Sequence, residues 1–167
     1  GEGAQTYDRE NGDAMGALAS IGKPVLAAIH GFCVGGGCAI ALTADLRYSA
    51  DDGVFAIPAA RLGLGYGSDG IERLIQEVGT PAAREIFFTA RRFSADEALQ
   101  MGLVDQVVPV DQLQQVAVTA ARAFDLMEGA HQRERLGHAF LISGPAGSGK
   151  RALAARVIQM VNPPADA

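Results

Sequence analysis

Three consecutive glycines, Gly35-Gly36-Gly37, stand between two apolar segments, Val25-Leu26-Ala27-Ala28-Ile29 and Cys38 to Ala44. The first segment predicts a buried strand over 25–30 and the second a buried helix over 37–44. Glycines at a helix start leave backbone N–H groups uncovered and let a ligand approach the main chain closely. The positive end of the helix dipole lies there too. A strand that runs through such a turn into a helix can therefore hold a developing oxyanion. Few other features of the chain restrict its local geometry as much.

The flanking sequence predicts an α/β fold. Asp13 to Ser20 reads as a weak helix. Leu46 to Ala50 and Val54 to Ile57 read as short strands separated by the turn Asp51-Asp52-Gly53. A second glycine-rich loop covers 63–70, followed by a helix from about Ser68 to Val78. Thr80-Pro81 starts another helix, with threonine as N-cap and proline at the first helical position. Ser94-Ala95-Asp96-Glu97 is a capping box that opens a short helix ended by Gly102. A strand over 104–108 and a helix capped by Asp111 and running to about Phe124 follow. Strands alternating with helices imply a parallel sheet.

The 167 residues suffice for one ordinary domain, and 49% hydrophobic with 20% charged residues describes a soluble globular chain. A net charge of −5 argues against a general nucleic-acid surface. No apolar run reaches membrane-spanning length and no signal peptide opens the chain, so a cytoplasmic location is the default expectation. The two cysteines, Cys33 and Cys38, are too few for a disulfide framework or a zinc site and are expected to be reduced, buried and structural. No metal site is expected.

The stretch from Lys23 through His30-Gly31, Gly35-Gly36-Gly37-Cys38 and Ala44-Asp45-Leu46-Arg47 resembles the crotonase (enoyl-CoA hydratase/isomerase) superfamily. The likeness continues through Phe55-Ala56-Ile57-Pro58, Leu62-Gly63-Leu64-Gly65, Ser94 to Ala98 and Gly102 to Pro109, and covers about residues 10–123. It implies stacked ββα units, an acyl-CoA thioester as substrate with no further cofactor, and assembly as a trimer. The middle glycine of the triplet, here Gly36, would donate an N–H to the thioester oxygen as it becomes an enolate, with Gly35 beside it. The hydratases of this family place a glutamate after the Gly-Gly-Gly-Cys and another after the proline of Phe-x-x-Pro. Here those places hold Ala39 and Ala59, which transfer no proton. Asp69, in the loop Gly65-Tyr66-Gly67-Ser68-Asp69-Gly70, is the remaining candidate acid or base; it also suits an ordinary helix start. Tyr66 and Gly67 are candidates to line the acyl pocket. His30, at the strand end, is expected to make a structural hydrogen bond. Arg61, Arg91 and Arg92 are candidates to meet CoA phosphates. The family's first strands and first oxyanion donor are expected upstream of Gly1, so the chain reads as a truncated or fused product, or a chimera.

The character of the sequence changes after about Phe124, which suggests a partial crotonase-like domain over 1–123 and a separate segment over 124–167. In that segment the apolar run His138 to Ser143 enters Gly144-Pro145-Ala146-Gly147-Ser148-Gly149-Lys150. This is the core of a phosphate-binding P-loop, with Gly144, Gly149 and Lys150 as its nucleotide-contacting residues. About 35 residues resemble the start of a bacterial DNA polymerase III clamp-loader subunit of the delta-prime type. Arg151 replaces the Ser or Thr that would ligate Mg²⁺, so weak ATP binding is the expectation. The alternatives to an acyl-CoA enzyme are thus a nucleotide-binding clamp-loader-type fragment and a non-catalytic acyl-CoA-binding fragment.

Overall fold

The computed structural model describes residues 12–21, 23–65 and 67–132. In chain order these form α1 (12–19), β1 (Leu26–Ile29), β2 (Phe32–Val34), α2 (Gly36–Ala41), β3 (Leu46–Ala50), β4 (Val54–Ala56), α3 (Ala59–Leu62), α4 (Ser68–Thr89), β5 (Phe93–Ser94), α5 (Ala95–Met101), β6 (Gln106–Val108) and α6 (Leu113–Gln132). Two three-stranded sheets result, in the orders β1-β3-β6 and β2-β4-β5. The first is wholly parallel, and β2 and β4 are parallel in the second, where β5 joins antiparallel. β1, β2 and α2 form one ββα unit, and β3, β4 and α3 form the next. Each unit gives its first strand to one sheet and its second to the other.

Most elements follow from local chemistry. Ser94 caps α5: its Oγ accepts the Glu97 N–H at 3.3 Å, and the Glu97 carboxylate accepts the Ser94 N–H at 2.8 Å. Gly102, at φ +81°, closes that helix in the left-handed region. α4 breaks at Gly79 (φ +74°), just before Thr80-Pro81, where the sequence places a new helix start.

Five elements differ from expectation. β2 is a separate strand of three residues, set between positive-φ glycines at Gly31 (+62°) and Gly35 (+56°). α2 begins at Gly36 and ends at Ala41, because residues 42–44 tighten into turns and the Asp45 carboxylate accepts the Val25 N–H at 2.8 Å. The one-turn helix α3 and the two-residue β5 carry too little sequence pattern to be read beforehand. β5 exists because Phe93 pairs with Phe55 across the strands, their rings stacked at 5.8 Å. α6 continues past Phe124 to Gln132.

The main core gathers Ile29, Cys33, Cys38, Leu42, Phe55, Ile57, Leu74, Ile86, Phe93 and Val104 between the sheets and α2, α4 and α5. A second cluster, Leu46, Tyr48, Val108, Leu113 and Phe124, packs α6 against β3 and β6. All five residues of β3 are buried, including Arg47.

Candidate active site

The parallel pairing of β2 with β4 sets Val34 opposite Ala56. Each strand then turns into a helix, one at Gly35-Gly36 and the other at Pro58-Ala59, so two helix starts lie side by side at the carboxyl edge of the sheet. The Gly35 N–H donates to the Ala56 carbonyl at 2.8 Å, and its carbonyl accepts the Ala39 N–H at 3.1 Å to begin α2. A Cβ at Gly35 would stand 3.9 Å from Pro58 Cδ. Gly35 thus supplies the turn, and its N–H is already committed.

Gly36 differs. Its N–H has no acceptor among the described residues, it is exposed, and a Cβ built on it meets nothing within 4 Å. α2 has only six residues, so its dipole is small. A free N–H at a helix start is a group of the kind that can meet an anion.

Beneath the turn, the Cys38 thiol donates to the Cys33 carbonyl at 2.8 Å and lies 3.5 Å from the Ala56 carbonyl. The neighbouring Cys38 side chain lowers the pKa of Cys33. The same pairing, with burial added, pushes Cys38 far above the usual thiol range. Both cysteines are reduced and buried, as the sequence suggests.

Ala39 is half-buried and Ala59 buried, so methyl groups occupy both places where carboxylates are expected in the hydratases. Asp69 sits in the first turn of α4, exposed, and accepts a hydrogen bond from Ser68 Oγ at 3.1 Å. No hydrogen bond or ion pair among the described residues joins it to the glycine turn. Gly67 is the N-cap residue of α4, and its carbonyl accepts the Gly70 and Ile71 N–H groups. Tyr66 lies outside the described residues, as do Gly144, Gly149 and Lys150 of the phosphate loop.

Two side chains depart from expectation. His30 is exposed and its imidazole makes no hydrogen bond among the described residues; the strand end is tied instead by Gly31 N–H donating to Asp52 Oδ1 at 3.1 Å. Arg91 is engaged by Glu85 and Glu97, each at 2.7 Å, rather than free for a phosphate. Arg92 lies over the Phe32 ring, 5.6 Å from its centroid, and Arg61 is exposed in the last turn of α3.

The arrangement that sequence reasoning missed is built on Arg47, 3% exposed. Its Nε donates to the Leu103 carbonyl at 2.9 Å, one terminal nitrogen donates to the Ala44 carbonyl at 2.6 Å, and the other pairs with Glu77 of α4. Asp105 accepts the Arg47 backbone N–H at 2.9 Å and stands 4.0 Å from the guanidinium. Burial raises the Glu77 pKa, opposed by Arg47 and reinforced by Asp105 and Asp45. A charged residue inside an otherwise apolar strand was the available signal, because a buried guanidinium must find acceptors. Among the described residues no group of His, Cys, Asp and Glu side chains could hold a metal, and no helix is long and apolar enough to cross a membrane.

A strand–glycine–helix turn with an uncommitted N–H, beside a second strand–helix turn, sits on an α/β scaffold of ββα units. The sequence model of the enoyl-CoA hydratase/isomerase family matches residues 2–135, and the chain belongs to that family. It is 40% identical over 124 residues to the "probable enoyl-CoA hydratase" echA17 of Mycobacterium avium, which covers 74% of this chain and 48% of that protein. It is 42% identical over 100 residues to the short-chain-enoyl-CoA hydratase of Clostridium acetobutylicum, covering 60% and 38% respectively. Among solved structures, an enoyl-CoA hydratase/carnithine racemase from Magnetospirillum magneticum superposes with a TM-score of 0.73 at 28% identity, over 94% of this chain and 53% of the other. An enoyl-CoA hydratase from Bacillus anthracis gives a TM-score of 0.73 at 27% identity, over 96% and 62%. The chain therefore spans about half the length of the curated relatives it matches.

Proposed function

We propose that this chain binds acyl-CoA thioesters, with the Gly36 N–H directed at the thioester oxygen, and that it does not perform ordinary glutamate-driven hydration. The observation that carries the reading is the uncommitted, uncovered N–H of Gly36 at the start of α2, in a chain of this family. An enolate forming from the thioester would be stabilised there, and loss of one such donor typically costs about a hundred- to a thousandfold in rate. Gly35 holds the turn, Tyr66 and Gly67 border the acyl chain, and Asp69 serves as acid or base in any reaction that the complete site supports. The reading includes no cofactor beyond the CoA substrate, a cytoplasmic location, and assembly as a trimer, which light scattering checks.

Hydration of an enoyl thioester needs a base for water and an acid for the α-carbon. Alanines at positions 39 and 59 remove the two groups expected to supply them. Purified chain mixed with crotonyl-CoA should bind it in a calorimetric titration and hydrate it negligibly in a spectrophotometric assay. Turnover comparable to that of a family hydratase, or the absence of any binding, would overturn this reading. The nucleotide-binding alternative depends on residues 144–151 and draws no support from the described residues.

A further inference from the structure

Cys33 and Cys38 flank the glycine turn and meet beneath it. The Cys38 sulfur reaches back to within 2.8 Å of the Cys33 carbonyl oxygen, which brings the two cysteines together under the turn. Both belong to the main core, at 5% and 2% exposure. Cys33 nevertheless lies close under a glycine: a Cβ at the exposed Gly37 would come 3.9 Å from Cys33 Sγ. On that side the covering residue is the exposed Gly37, which carries no side chain. Cys38 is the third residue of α2, two after Gly36, and its sulfur shares the Ala56 carbonyl with the Gly35 N–H. Any change in the position of that sulfur is transmitted to the first turn of α2.

We propose that Cys33 and Cys38 form an oxidisable dithiol which closes to a disulfide across the Gly35–Gly37 turn, taking a hydroperoxide as oxidant and displacing the Gly36 N–H. In the first step the Cys33 thiolate attacks the hydroperoxide, the O–O bond breaks, Cys33 becomes a sulfenic acid and an alcohol leaves (water, when the oxidant is hydrogen peroxide). In the second step the Cys38 sulfur attacks the sulfenic sulfur, the S–S bond forms, and the sulfenic oxygen leaves as water with the Cys38 proton. The two thiols give up two electrons and the peroxide is reduced by two. A disulfide requires the sulfurs to close to roughly 2 Å. That movement draws α2 toward β2 and replaces the S–H donor that the Cys33 and Ala56 carbonyls share. The effect on ligand binding rests on the proposed role of Gly36; the chemistry of the pair does not.

The test oxidises the intact chain with excess hydrogen peroxide, denatures it, alkylates it with iodoacetamide and weighs it, while ¹H–¹⁵N spectra follow the Gly36 and Gly16 amides. The expected result is a loss of two hydrogen masses within the peptide holding residues 33–38, no alkylation there, a link mapped between its two cysteines, reversal by dithiothreitol, and a shifted Gly36 cross-peak beside an unmoved Gly16. Two alkylatable thiols after oxidation, sulfinic acid without a link, a disulfide between chains, or a link that leaves Gly36 unmoved would overturn the proposal. Titration of acyl-CoA into both forms separates the two readings: oxidation should weaken binding at least about tenfold. Equal affinity with the link formed and Gly36 displaced would support the dithiol and remove the assignment of Gly36 as the thioester donor.

Discussion

The glycine turn and the Arg47 cluster lie on neighbouring parts of one scaffold and treat polar groups in opposite ways. Around Arg47 the donors described are engaged: two carbonyls, one carboxylate in direct contact and a second at 4.0 Å surround a guanidinium almost wholly removed from water. At the glycine turn the exposed Gly36 has no acceptor for its N–H among the described residues. A folded chain satisfies nearly all its buried polar groups. A saturated cluster is what holds the elements around it, whereas an exposed donor without a protein acceptor is left to water or a ligand. Arg47 ties the turn after α2 to α4 and to the loop before β6, which steadies the helix that begins at Gly36.

The contrast is broken most forcefully at Arg47. Arg47→Met should cost about 3–5 kcal/mol in urea unfolding, because it leaves buried acceptors and Glu77 without a partner. The lower end is expected, since the Glu77 side chain keeps 35% of its surface exposed. A change under about 1 kcal/mol would mean that the cluster is not the scaffold described here.

Glycine on the scaffold side should behave as a packing requirement. At Gly53 a Cβ would fall 2.3 Å from Ser49 Oγ and 3.1 Å from the Ala50 carbonyl oxygen. Gly53→Ala should lower stability by about 2 kcal/mol in thermal or urea melts. A neutral outcome would show that β3 and β4 yield easily.

The helix cap of α5 gives a smaller effect with a pH signature. Ser94→Ala should cost about 1 kcal/mol at neutral pH. The Glu97 pKa is lowered, first by the Ser94 backbone N–H and then by Arg91, below the ordinary carboxylate value of 4.5. A lowered carboxyl pKa contributes stability that is present above 4.5 and lost as pH falls through the folded value. Glu97→Gln should therefore flatten the acid limb of the stability profile. An unchanged acid limb would count against the capping box as its source.

These elements also mark what sequence alone can reveal. The capping box at Ser94, the left-handed Gly102 and the break before Thr80-Pro81 were readable because each is set by chemistry within a few residues. β2 and β5 were not, because three- and two-residue strands exist only through partners elsewhere, such as Phe55 for Phe93. Arg47 was passed over because its partners, Leu103, Asp105 and Glu77, are 30 to 58 residues away. Within the candidate site the glycine turn was visible as a local pattern. The division of labour between Gly35, whose N–H is used, and Gly36, whose N–H is not, required the register of β2 on β4. His30 reads as a hydrogen-bonding strand end, but Asp52 reaches the adjacent Gly31 N–H from the next turn and takes that role.

The most direct test is Gly36→Val, with Gly16→Ala as control. A Cβ at either position meets nothing within 4 Å, so both variants should unfold within about 0.5 kcal/mol of the parent. Calorimetric titration with an acyl-CoA should then show affinity retained in Gly16→Ala and reduced at least about tenfold in Gly36→Val, where the added branches stand over the N–H. Equal affinity in the parent and in a folded Gly36→Val protein would contradict the claim that this N–H receives the thioester oxygen.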